Sequence, residues 1–193
     1  MKEYRIAIFA SGNGSNAEKI IQYFQAHPKI EVALVLSNNP SAGVLERANK
    51  YSIPSHVFDR RQFTESKIIL EWLQDARISH IVLAGFLWLV PPYLIEKFRN
   101  RIINIHPALL PDFGGKGMYG MKVHEAVRAS GVKETGITIH LVDEHYDRGS
   151  IVFQGRCDID HNCSASDIAQ RVHALEYEHY PRVIEKWINE TTN

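Results

Sequence analysis

The sequence predicts an α/β fold: a doubly wound, mostly parallel sheet with an antiparallel strand pair toward the C-terminus and a closing helix. Three observations predict it. Short runs such as YRIAIF, VALVL and ISHIVLA are apolar at nearly every position, as strands covered on both faces must be. Amphipathic stretches alternate with those runs over the first two thirds of the chain, the pattern of a parallel sheet with crossover helices. Two further β-rich runs then follow one another with only a polar turn between them, before a last long amphipathic stretch.

Taken in order, Tyr4–Ala10 is the first strand, ended by Ser11-Gly12. Ser15–Ala26 has Ile20, Ile21 and Phe24 at helical spacing and stops before Pro28. Val32–Leu36 is a second buried strand, and Ser41–Lys50 is a helix with Ser41 as its cap. A short strand lies at His56–Phe58. A single helix is predicted over Thr64–Asp75, with Ile68, Ile69, Trp72 and Leu73 on its apolar face. Ile78–Ala84 is a strand, Pro91 or Pro92 opens a helix, and Arg101–Asn104 is a short strand. After a Pro- and Gly-rich loop come a helix at Met121–Ser130, antiparallel strands at Thr135–Val142 and Ser150–Arg156, and a helix capped by Ser164 or Ser166 that runs toward Asn189.

Composition narrows the function classes. The 193 residues carry no internal repeat or low-complexity linker and read as one domain, residues 1–193. Lys and Arg number 22, as do Asp and Glu. That balance argues against a nucleic-acid partner held by a broad basic surface. No stretch approaches the ~20 apolar residues that span a bilayer, and MKEYRIAIFASGNG lacks the apolar core of a signal peptide, so no membrane is expected and the expected address is cytoplasmic. Cys157 and Cys163 form no CxxC pair. His140 and His145, like His173 and His179, are not spaced to share a metal, so no metal site is expected.

Open parallel sheets bind ligands beyond the carboxyl ends of their strands, which directs attention to residues 10–16, 37–39, 85–90 and 104–120. Ser11-Gly12-Asn13-Gly14-Ser15-Asn16 joins the first strand to the first helix. Its glycines allow close approach of a ligand, and the free N–H groups at a helix start attract a phosphate. It lacks the GK[ST] ending of a Walker loop and the GxGxxG spacing of a dinucleotide site. Asn104 and His106 alternate along one strand end, so both face the mouth of the sheet. An amide N–H suits a developing oxyanion, and an imidazole suits proton transfer near neutral pH. Asp147, in the polar turn DEHYDRGS, would orient His106 and raise its pKa if folding brought the two together.

SGNGSN, AGF, NIHPALLP and GITIHLVDEHYDRGSIVFQ together resemble the folate-dependent formyltransferases, within them the branch acting on glycinamide ribonucleotide, over a span from Ile6 to about Ile188. The resemblance implies transfer of a formyl group from 10-formyltetrahydrofolate, a co-substrate, to the amine of glycinamide ribonucleotide in purine synthesis. It implies a monomer or homodimer that works on small molecules alone. Gly14, Ser15, Asn16 and Glu176 would hold the ribonucleotide. Asn104, His106 and Asp147 would be catalytic, with His106 kept charged by Asp147. Arg61, Leu87, Trp88, Leu89, Val90 and Asn104 would meet the folate, and Leu110–Pro111 would be cis. Two departures stand out: many members have Arg where this chain has Trp88, and Gly114–Met121, with Lys116, is longer and richer in glycine than in many relatives. A formyl-folate hydrolase, a formyltransferase acting on initiator tRNA and a non-catalytic nucleotide-binding module are the alternatives. The first two are expected to carry a further domain, and the third has no use for the Asn–His–Asp trio.

Overall fold

A computed structural model describes residues 2–191. Seven strands form one sheet: β1 (Tyr4–Phe9), β2 (Ile30–Ser37), β3 (Ser55–Val57), β4 (His80–Leu83), β5 (Ile102–His106), β6 (Glu134–Leu141) and β7 (Ile151–Asp158). Their order is β3-β2-β1-β4-β5-β6-β7. The pairs among β1 to β5 are parallel, and the pairs β5–β6 and β6–β7 are antiparallel. The helices are α1 (Ser15–Phe24), α2 (Gly43–Lys50), α3 (Arg60–Glu65), α4 (Ile68–Asp75), α5 (Pro92–Lys97), α6 (Met121–Ser130) and α7 (Ala165–Thr191).

The double winding explains the unbroken apolar runs. Ile6, Ile8 and Ala10 face one core, which α1, α2, α6 and α7 complete. The alternate residues Ala7 and Phe9 face a second core with Phe58, Phe63, Ile69, Leu73 and Leu94. A polar side chain at any of these positions would be stranded without water. Tyr180 of α7 is fully buried, and its hydroxyl donates to Leu83 O at 2.9 Å, tying the closing helix to the sheet.

Several boundaries move for identifiable reasons. The predicted helix at Thr64–Asp75 is two helices. Asp59 and Gln62 make a reciprocal capping box that starts α3 early, and Ser66 turns to extended angles (φ −107°, ψ 162°) and ends it. Ser41 does not cap α2; Ala42 does, while Ser41 N donates to Asn39 Oδ1 at 3.0 Å. Gly14 caps α1, so Ser15 lies inside the first turn. Ser164 rather than Ser166 begins α7, with Asp167 N donating to Ser164 Oγ at 3.1 Å. β5 runs on to His106, so both candidate side chains belong to the strand itself. Leu110–Pro111 is cis.

His80 is 1% exposed on β4, between Ser79 Oγ at 3.0 Å and Thr191 Oγ1 at 3.3 Å. Burial, then the nearby Arg101 charge, pushes it down to about 4. A histidine whose proton affinity falls on folding contributes stability that is complete above its unfolded pKa and is lost as pH drops toward the folded one. Between pH 6.5 and 4 that loss is about 3 kcal/mol. His80→Phe should therefore show a stability difference between pH 7 and pH 4 smaller by about 3 kcal/mol than the parent in urea unfolding. Parallel pH profiles for the two proteins would refute this role of His80.

Candidate active site

Strand order reverses at β1, whose neighbours are β2 on one side and β4 on the other. Loops leaving such strands diverge and open a crevice. The glycine turn after β1 sits there: Ser11 N donates to Gly85 O at 3.0 Å beyond β4, and Ser11 Oγ accepts from Leu87 N at 3.1 Å. Gly14 takes φ +80°, and a Cβ there would lie 2.6 Å from Val44 Cβ of α2. Only glycine combines that backbone with that approach. No side chain caps the N-terminus of α1, which leaves its first N–H groups to an anion.

From this turn the site is continuous with α7. Asn16 Nδ2 donates to Glu176 Oε2 at 3.0 Å, and the same oxygen meets His173 Nδ1 at 2.8 Å. Glu176 is 4% exposed, and its bond raises the pKa of His173. Asn16 Oδ1 is buried without a partner. Two of the expected ribonucleotide residues, 160 positions apart, are thus in direct contact.

The expected trio also converges. His106 is 3% exposed, with its Nδ1 3.5 Å from Asp147 Oδ2 and its Nε2 2.8 Å from Phe113 O. Asp147 Oδ2 accepts from Gly115 N at 2.9 Å. The backbone at Asp147 is left-handed (φ 55°), a conformation Asp tolerates better than most residues. The turn that carries it is pinched: a Cβ on Gly149 would fall 1.7 Å from Leu141 O. A hollow of about 460 Å³ opens beside Asp147, lined by Leu110, Pro111, Gly114, Gly115, Tyr146, Arg148, Gly149 and Ile151.

The charge state of this pair differs from the expectation. Burial is the largest influence on His106 and lowers its pKa; Asp147 and the Phe113 carbonyl pull it upward, but burial prevails. Burial is also the largest single influence on Asp147 and raises it. His140, His106 and the Gly115 N–H together overrule that, and the net shift is downward. Both shifts describe an ionised carboxylate facing a neutral imidazole. The sequence reading counted the carboxylate and missed desolvation, which depends on tertiary packing.

Sequence reasoning also missed His140, on β6. Its Nδ1 lies 2.8 Å from Leu141 O, and its Nε2 lies 3.1 Å from Asn104 Nδ2. Asp147 Oδ1 is 3.6 Å from the same Nε2. His140 thereby links Asn104 to Asp147. Antiparallel pairing of Asn104 with His140 is the signal that could have found it, and that register exists only in the fold.

The expected folate residues divide. Leu87 and Leu89 are 44% and 38% exposed, and Val90 is buried. Trp88 packs against Phe58 and Phe63, with ring centroids 6.0 and 5.8 Å away. Arg61, in α3, has its side chain 87% exposed and 3.6 Å from Glu65. Lys116 is exposed on the glycine-rich loop.

The fold is a Rossmann-like, mostly parallel sheet with an uncapped, glycine-led helix start at its switch point and an amide, imidazole and carboxylate gathered at the same end of the sheet. The chain belongs to the formyl transferase family, whose model matches residues 4–184. It is 39% identical over 187 residues to the phosphoribosylglycinamide formyltransferase of Bacillus subtilis (strain 168), covering 94% of this chain and 93% of that protein. It is 38% identical over 186 residues to the chloroplastic phosphoribosylglycinamide formyltransferase of Arabidopsis thaliana, covering 93% of this chain and 64% of that longer protein. The crystal structure of phosphoribosylglycinamide formyltransferase from Bacillus halodurans superposes with a TM-score of 0.85 at 37% identity, covering 97% of this chain and 96% of the other.

Proposed function

We propose that this chain transfers the formyl group of 10-formyltetrahydrofolate to the amine of glycinamide ribonucleotide, a step of purine synthesis. The observation that supports this reading is that His106 lies 3.5 Å from Asp147 while Asn104 is linked to Asp147 through His140, at the same end of the sheet as the turn where Asn16 meets Glu176. The names of the relatives support the acceptor.

The phosphate sits on the first turn of α1, and the unpartnered Asn16 Oδ1 accepts a hydrogen bond from the sugar or amide side of the ribonucleotide. The glycyl nitrogen attacks the formyl carbon, a C–N bond forms, and the carbonyl oxygen becomes an oxyanion. The amide N–H of Asn104, held beside His140, stabilises that charge. Neutral His106 takes the proton lost by the attacking nitrogen. The imidazolium so formed has acceptors on both ring nitrogens, Asp147 Oδ2 and Phe113 O. It returns the proton to N10 of the folate as the carbon–N10 bond breaks. No covalent enzyme intermediate is needed. Two substrates held side by side supply much of the remaining acceleration.

The test incubates the protein with 10-formyltetrahydrofolate, with and without glycinamide ribonucleotide, and follows tetrahydrofolate and formylated product. Release that depends on the ribonucleotide is expected. Equal release without it would make water the acceptor and overturn the assignment.

A further inference from the structure

The rim of the crevice carries a cation that the proposed reaction has not used. Segment 85–90 leaves β4 just beyond Leu83, the register partner of Asn104, and so borders the reacting centre. Its Trp88 is held by Phe58 and Phe63. Over the face of that indole, 4.1 Å from the ring centroid, lies the guanidinium of Arg60, the first residue of α3. Among the described residues no carboxylate lies within ion-pair distance of Arg60, whereas the adjacent Arg61 has Glu65. Leu87 and Leu89 flank Trp88 and are solvent-exposed.

An arginine stacked on a fixed ring has already given up much of its rotamer freedom. Stacking occupies the face of the guanidinium and leaves its N–H edge, which matches a carboxylate in two-point geometry. An unpaired, pre-ordered fork beside exposed leucines suits a ligand end that is apolar along its length and anionic at its tip. The proposed donor has such an end in its aminobenzoyl-glutamate portion. Resting on that reading of the donor, the geometry points to Arg60, ordered by Trp88, as the seat of the glutamyl carboxylates and the residue that sets preference for the folate tail.

The experiment compares two donors, 10-formyltetrahydrofolate and 10-formyltetrahydropteroate, which lacks the glutamate, by steady-state kinetics and by quenching of tryptophan fluorescence. The parent protein should show a KM and Kd about 3- to 10-fold lower for the glutamylated donor, a preference that shrinks with added salt. Arg60→Gln should bring that ratio to about 1 by weakening the glutamylated donor alone, with kcat at saturation retained. Trp88→Leu, which removes the platform and keeps the cation, should lose part of the ratio, and Arg60→Lys should restore little of it. Arg128→Gln, an exposed arginine on α6, should change nothing. A parental ratio in Arg60→Gln, or a fall in kcat with the ratio intact, would overturn the role of Arg60. A parent protein that releases no tetrahydrofolate when given the ribonucleotide would instead overturn the donor assignment, and this inference with it.

Discussion

Asp147→Asn should lower kcat about 10²- to 10³-fold while leaving the affinity for glycinamide ribonucleotide within a few-fold of the parent. Asparagine is nearly isosteric and can still accept from Gly115 N, so the turn should survive. The negative charge facing His106 is what disappears. Without it nothing comparable stabilises the imidazolium, and the upward pull that Asp147 exerts on His106 is removed while burial remains. The pKa of His106 then falls further below 6.5. Activity that needs the neutral ring rises with pH through that pKa, so the acid limb of kcat/KM should move to lower pH in the variant, at a much reduced plateau. His106→Ala should lose a similar factor and the limb with it. A parental rate from Asp147→Asn between pH 5 and 8 would remove the carboxylate from the mechanism.

Gly14→Ala should raise the KM for the ribonucleotide at least about tenfold and destabilise the fold by about 2–5 kcal/mol. Two costs combine. A side chain in the left-handed region costs about 1–2 kcal/mol, and forcing a methyl against a packed neighbour costs about 1–3 kcal/mol. Here that neighbour is Val44, 2.6 Å from the new atom on a helix anchored by Val44 N to Gly12 O at 3.2 Å. Relief can come only by turning the loop or shifting α2, and either moves the N–H groups that would hold the phosphate. Gly12→Ala is the control for stability, since a Cβ there meets nothing within 4 Å. Thermal unfolding and initial rates against ribonucleotide concentration read both effects. An unchanged KM in a folded Gly14→Ala protein would place the phosphate elsewhere.

Much of this architecture was legible because it depends on short-range periodicity. A run such as IAIFA has to be covered on both faces, and the alternation of such runs with amphipathic stretches leaves little choice but a doubly wound sheet. The glycine turn was legible for the same local reason. Where local signals competed, the boundaries slipped. Asp59 and Gln62 cap each other and start α3 early, Ser66 ends it ahead of the apolar stripe of α4, and Ser41 falls one position before the N-cap of α2.

The site was legible as residue types and only partly as an arrangement. Asn104 and His106 stand two apart on one strand, so a strand prediction already aims both at the mouth of the sheet. That Asp147 reaches His106, that Glu176 joins Asn16, and that His140 meets Asn104 all follow from strand order and from the docking of α7. The proton balance of His106 lies beyond any string of letters. It is the difference between a nearby carboxylate, whose presence a motif can suggest, and the loss of water around the ring, which exists only once β5, the Phe113 loop and the Asp147 turn have closed on it. Periodicity along the chain therefore determined the layers and the inventory of the site. Packing across the chain decided its partners and its charge, because desolvation and hydrogen-bond register belong to surfaces that meet only after folding.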